Sequence, residues 1–149
     1  MTYYQIAVND LEYLQPTLSF SKVYNPIVVQ AQQIAEWMLK SVAELVCTES
    51  IEDVLKTHNL KKIYLEICKY DKTIRLSAKD LGFLKDFYFE AKYPGENFIL
   101  VDRQMCNECL EVMYSVIAET NRFRQSYGYE VKRIPEIYVP ETLQSADAF

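Results

Sequence analysis

The chain has 149 residues, half of them hydrophobic and a quarter charged, with a net charge of −5, the balance of one ordinary globular domain with room for a full core. Three glycines and five prolines disfavour a turn-rich β-sandwich or barrel, and the acidic balance argues against a general nucleic-acid coat protein. The opening MTYYQIAVND has no basic stretch leading into an apolar one, and no apolar run reaches the roughly 18–20 residues of a membrane span, so a reducing cytoplasm is the expected setting, with no secretory signal and no membrane contact.

Helical periodicity dominates from the first residues. Thr2 and Gln5 form a T-x-x-Q capping box, which satisfies free backbone N–H groups at a helix start. Tyr3, Ile6, Ala7, Leu11 and Leu14 then share one face, and Pro16 predicts an end at or just before Gln15. Asn25-Pro26 predicts a restart, with Asn as N-cap and Pro in the first helical position. The longest helix is expected from there to about Cys47. Ile27, Ala31, Ile34, Ala35, Met38, Val42 and Leu45 form its main stripe, Val28, Leu39 and Val46 lie beside it, and Trp37 lies elsewhere on the circumference. A helix apolar over so much of its girth is the centre of a bundle or shares a face with a second subunit.

Ser50 and Asp53 suggest a capped start for a short helix carrying Ile51, Val54 and Leu55. Thr57 can cap the next, whose apolar face is Leu60, Ile63, Tyr64 and Ile67, with His58 in its first turn. After a polar loop at Tyr70-Asp71-Lys72, Ser77 and Asp80 repeat the capping logic, and Leu76 with Leu81 suits a hydrophobic staple. This helix carries Leu81, Leu84, Phe87, Tyr88 and Ala91. It is then stopped hard: Pro94 pushes Tyr93 out of the helical region, and Pro94-Gly95 suits the centre of a type II turn. A last long helix is expected from about Asp102 to Gln125. It carries Cys106, Cys109, Leu110, Met113, Val116, Ile117 and Phe123, with Arg122 and Arg124 near the negative pole of its dipole.

Short links between long helices predict an all-α, up-and-down antiparallel bundle of four to five main helices over residues 1–125. Residues 126–149 read as an extended C-terminal tail, partly packed through Ile137, Tyr138 and Val139. The twelve tyrosines suit half-buried and interface positions. Charge is uneven. Lys56, Lys61, Lys62, Lys69, Lys72, Arg75 and Lys79 crowd one segment against only Glu66 and Asp71, although the whole chain is at −5. Such a segment is either a solvated face or a surface turned toward phosphates.

Four stretches, in order, resemble the HEPN family, the helical domain named for higher eukaryotes and prokaryotes nucleotide-binding. IAVNDLEYL at 6–14 resembles its first helix, with the A-x-x-D-L pattern. QAQQIAEWMLKSV at 30–42 resembles its Q-x-A-x-E-x-x-L-K second helix at Gln33, Ala35, Glu36, Leu39 and Lys40. THNL at 57–60 resembles the T-H-D-L that starts its third helix, with Asn59 in place of the acid. KYP at 92–94 resembles the R-Y-P that closes its fourth, with Lys92 in place of Arg, which keeps the charge but loses the planar fork. The resemblance implies a helical bundle, commonly dimeric, and often encoded with or fused to a minimal nucleotidyltransferase. It also implies a ribonuclease signature in many members, an Arg followed after four to six residues by a His. That signature is missing. The only histidine is His58, and the positions where its Arg belongs hold Ile51, Glu52 and Asp53. Downstream of Arg122 and Arg124 the matching positions run from Tyr127 to Val131 without a His.

General acid–base cleavage needs a group titrating near neutrality, so no catalytic residue is assigned. His58 has two readings: a helix-start residue bonded to a cap or stacked on a tyrosine, or a ligand contact helped by Lys61 and Lys62, since helix starts attract phosphate. Cys106 and Cys109 form a C-x-x-C, but both fall on an apolar stripe with no preceding βαβ pattern, so core packing is expected and no metal or cofactor is assigned. The candidate ligand-binding residues are His58, Asn59, Lys61, Lys62, Arg75 and Lys92. The expected function is a non-catalytic module binding nucleotide or RNA, a homodimer accessory to a nucleotidyltransferase in a toxin–antitoxin-like arrangement. The alternatives are a dimeric interaction scaffold and a degenerate metal-independent ribonuclease using His58.

Overall fold

The computed structural model describes residues 1–132. They form six helices and, among the described residues, no strand: α1 (Tyr3–Leu18), α2 (Asn25–Val46), α3 (Ile51–Lys56), α4 (Leu60–Tyr70), α5 (Ala78–Lys92) and α6 (Arg103–Ser126). The all-α bundle expected from periodicity is what forms, with α3 as one short extra turn. α2 touches each of the other five helices. Its apolar girth is therefore covered within the chain, by α1 and α6 above all. The stripe residues Ile27, Ala31, Ile34, Ala35, Met38 and Val42 are all buried.

Local signals were obeyed where a short polar side chain met its own helix. Thr2 and Gln5 make the full capping box on α1. Ser77 caps α5 by accepting from the Asp80 N–H at 3.1 Å, and Asp102 caps α6 by accepting from the Met105 N–H at 2.8 Å. All seven apolar residues expected on the inner face of α6 are buried, Cys106 and Cys109 included. Burial pushes both thiols up to about 12, as expected for cysteines packed in an apolar core.

Several expectations are corrected. α1 does not stop at Gln15; it carries Pro16 inside it and ends at Leu18. The proline removes one helical donor, but Leu14, Gln15 and Leu18 are all buried on the inner face, and that burial holds the last turn in place. A proline inside a helix costs up to about 3 kcal/mol, a penalty smaller near the end and partly offset by its stiffening of the unfolded chain. Pro16→Ala should therefore stabilise the fold by about 1 kcal/mol, read as a higher urea midpoint at unchanged slope. An unchanged or lower midpoint would mean that the bend is needed to seat Leu18.

Ser50 precedes α3 without capping it; its hydroxyl lies 3.2 Å from the Tyr70 hydroxyl instead. Thr57 does not cap α4. It ends α3, and Asn59 caps α4 by accepting from the Lys62 N–H at 3.2 Å. His58 thus lies in the connector before α4, not in its first turn. The Pro94-Gly95 break is no type II turn, because that turn needs a positive φ at Gly95 and Gly128 alone has one among the described residues. The turn lies two residues later, centred on Glu96-Asn97, where the Phe98 N–H donates to the Gly95 carbonyl at 3.1 Å.

Asn25 is not an N-cap; α2 begins at Asn25 with Tyr24 in the cap position. The Asn25 amide reaches across the bundle instead. It donates to the carbonyls of Ala91 (2.8 Å) and Ile99 (2.9 Å) and accepts from the Val101 N–H (2.8 Å). One side chain thereby ties the end of α5 and the link to α6 onto the start of α2.

Beyond α6 the described residues turn back on α1. The Lys132 N–H donates to the Tyr4 hydroxyl at 2.9 Å, and its ammonium pairs with Glu12. Ile137, Tyr138 and Val139, expected to pack the tail, lie outside the described residues.

Candidate functional site

α2 carries a polar line through its apolar surface: Gln32, Glu36 and Lys40, four residues apart, on one helical face. All three are buried, at 3%, 4% and 2% exposure, so each must find partners within the protein. Lys40 donates to Glu36 Oε2 and to the Leu55 carbonyl, both at 2.9 Å, and lies 5.5 Å from the centre of the Trp37 ring. Glu36 faces His58 Nδ1 with both oxygens, at 3.0 and 3.2 Å. Gln32 Nε2 completes the set, bonding the His58 carbonyl at 3.3 Å and Glu36 at 3.5 Å.

His58 stands at the outer end of this network, with its side chain 78% exposed. An ionised carboxylate only accepts, so Nδ1 carries the proton in the bond to Glu36. Nε2 is then the free nitrogen: an acceptor in the neutral ring and a donor in the charged one. The buried Glu36–Lys40 pair cancels its own charge and fixes the imidazole at a set angle to solvent.

Beside it the N-terminus of α4 supplies cations. Lys61 and Lys62 are exposed, and neither makes an ion pair among the described residues. The Asn59 side chain is engaged in the cap. Further along α4, Glu66 pairs with Lys69 at 2.9 Å, and that bond is the main reason its carboxyl is held below the usual range. Asp71 is also held low, first by the Thr73 hydroxyl and then by Tyr127. Both carboxylates of the basic segment thus have partners that keep them ionised.

Two of the predicted site residues lie elsewhere. Arg75 follows α4 and is separated from His58 by that helix, about 16 Å at 1.5 Å per residue. Its backbone N–H donates to Glu119 at 2.5 Å, and Arg122 grips the same carboxylate at 2.7 and 2.8 Å while also donating to the Thr73 carbonyl. Burial works to raise the Glu119 carboxyl, but these donors override it and leave it low. Lys92 ends α5, next to Ala91, whose carbonyl Asn25 binds at the far end of α2 from Lys40. Its ammonium donates to the Tyr88 hydroxyl at 2.9 Å and lies against the rings of Tyr88 and Tyr93. The structure therefore gathers His58, Asn59, Lys61 and Lys62 into one corner and leaves Arg75 and Lys92 outside it.

Sequence reasoning passed over Gln32, Glu36 and Lys40 as parts of a site. Their signal was present: three polar residues at four-residue spacing, flanking the apolar stripe of a central helix, need partners when buried, and polar partners mark a polar site.

A family model for the HEPN domain matches residues 1–123 of the chain. No curated protein and no solved structure matches it.

Proposed function

The chain belongs to the HEPN domain family, whose members commonly dimerise and bind nucleotides or RNA, and from that premise we propose that it is a non-catalytic nucleotide- or RNA-binding module whose phosphate contact is the corner between α3 and α4. The observation that carries this reading is the exposed His58, held outward by the buried Glu36–Lys40 pair beside Lys61 and Lys62, neither of which makes a salt bridge among the described residues. A phosphate there meets His58 Nε2 and two ammonium groups. Arg75 and Lys92 serve as outlying contacts for a longer strand. The protein works as a cytoplasmic homodimer, its bundle over 1–125 followed by a tail, and accompanies a minimal nucleotidyltransferase.

Titration of mononucleotides and short single-stranded RNAs at low salt tests the reading. Binding should be weak and should fall steeply with salt. Lys61→Ala with Lys62→Ala should lower the logarithmic salt slope by about 1.4, at about 0.7 for each phosphate no longer neutralised. No binding by any ligand of the panel at low salt removes the proposal.

One observation favours a second reading, a degenerate metal-independent ribonuclease. An imidazole anchored through Nδ1 on a carboxylate, with Nε2 toward solvent, is how a general base is held. RNA cleavage in excess chelator that is lost in His58→Ala would establish it; cleavage unchanged in that variant would eliminate it. No helix among the described residues is long and apolar enough to cross a membrane.

A further inference from the structure

The stretch FYFEAKYPGENF at 87–98 builds a second concave surface, at the end of α5. Asp86, Phe89, Glu90 and Tyr93 lie at i, i+3, i+4 and i+7, which is one helical face. After Pro94 the chain folds back across that face. The Phe98 N–H donates to the Gly95 carbonyl at 3.1 Å and the Ile99 N–H to the Glu90 carbonyl at 3.0 Å, while Asn25 holds Ile99 and Val101 from the other side. The fold-back borders an open surface cleft of about 590 Å³.

Two kinds of group line it. Phe89, Tyr93 and Phe98 contribute rings that are 52%, 49% and 46% exposed; Phe89 and Tyr93 are stacked with centroids 5.7 Å apart. Asp86, Glu90 and Glu96 contribute carboxylates, and none of the three makes an ion pair among the described residues. Lys92 is bonded to the Tyr88 hydroxyl and lies 5.4 Å from the centre of the Tyr93 ring, so the faces open to a new cation are those of Phe89 and Phe98.

We propose that this cleft is a docking site for a basic segment of a partner protein, taking an arginine side chain against the rings and its guanidinium between the carboxylates. Charge complementarity selects the occupant. Phosphates are repelled by three carboxylates, and a purely apolar helix would strand them without partners. A ligand with an apolar stem and a cationic head answers both walls at once. Arginine answers better than lysine, because its flat guanidinium both stacks on aromatic faces and bonds a carboxylate bidentately. The cleft exceeds one side chain, so residues flanking the arginine enter with it. The site is independent of the α3–α4 corner in residues, charge and ligand.

The test is an NMR titration of the full chain at low salt with an unstructured peptide alternating arginine with glycine and serine, beside the same peptide carrying citrulline for arginine. Citrulline keeps the shape and removes the charge. The arginine peptide should shift the amides of residues 86–98, and the citrulline peptide should leave them still. Glu90→Gln with Glu96→Gln exchanges exposed or half-exposed side chains while leaving the Glu90 carbonyl bond in place. It should weaken binding about fivefold, the loss expected for two exposed ion pairs with the aromatic contacts left in place. Equal shifts with both peptides, equal affinity in the variant, shifts of 86–98 driven by protein concentration, or RNA shifting the cleft residues Asp86, Phe89, Glu90, Glu96 and Phe98 as well as Lys92 would each overturn the assignment. The last two would give the cleft to a second copy or to nucleic acid.

Discussion

Glu36→Ala should be the most damaging single substitution in this protein. It leaves the Lys40 ammonium 2% exposed with the Leu55 carbonyl as its remaining polar partner. Stranding one member of a buried ion pair costs about 3–5 kcal/mol, a fall in Tm on the order of 10 °C for a domain of this size. The pair itself is not expected to be worth that much, because both charges gave up water to enter the core. Glu36→Leu combined with Lys40→Met should therefore recover most of the loss and come within about 2 kcal/mol of the natural protein. The shortfall reflects the Leu55 carbonyl and the Gln32 amide, which lose partners. Urea denaturation of the two single variants and the double variant closes the cycle. A Glu36→Ala protein of natural stability, or a double variant no better than either single one, would show that Lys40 reaches water in spite of its burial. The same double variant frees His58 from its anchor. If nucleotide or RNA binding then weakens while the fold stands, the network acts by positioning the imidazole.

Asn25→Ala should be the next most damaging, and through a different mechanism. Asn25 closes three bonds to backbone groups of the link between α5 and α6, one of them to the amide of Val101, which is 4% exposed. Its removal leaves a buried N–H and two carbonyls without this partner, at about 1–3 kcal/mol for each group that water cannot reach. A total of about 2–4 kcal/mol is expected, since the site is part-buried and water can reach some of it. Asn25→Asp should be worse than alanine, because it sets a carboxylate against two carbonyl oxygens. Amide exchange localises the effect: Val101 and Ile99 should exchange faster in the variant out of proportion to the global loss. Protection of Val101 that tracks global stability alone would mean that the link is held by packing. The docking cleft depends on this clamp, so Asn25→Ala should also weaken the arginine peptide.

The helices and their inner faces were legible because both are local properties. A stripe such as Ile27, Ala31, Ile34 and Met38 recurs with the helical period whatever it packs against, and Ser77 or Asp102 caps a helix with groups two or three residues away. The corner at Tyr93-Pro94 was legible for the same reason, since proline restricts its own neighbour. Errors came where a polar side chain had a choice. Asn25 beside Pro26 has every mark of a cap, yet the bundle offers it three backbone groups from residues more than sixty positions away. Thr57 and Asn59 compete for one helix start, and Asn59 takes it.

An all-α chain, the approximate runs of its helices, the faces they bury and the family resemblance all follow from the order of residues alone, because apolar periodicity and capping act over a few residues and need no partner to be read. Which polar groups meet depends on how the helices pack: Glu36 and Lys40 lie under His58, Arg75 and Lys92 stand apart from that corner, and carboxylates and rings share the cleft at the end of α5. A hydrogen bond or an ion pair depends on two groups arriving within about 3 Å of each other. That distance is fixed by how the helices cross and not by the spacing of residues along any one of them.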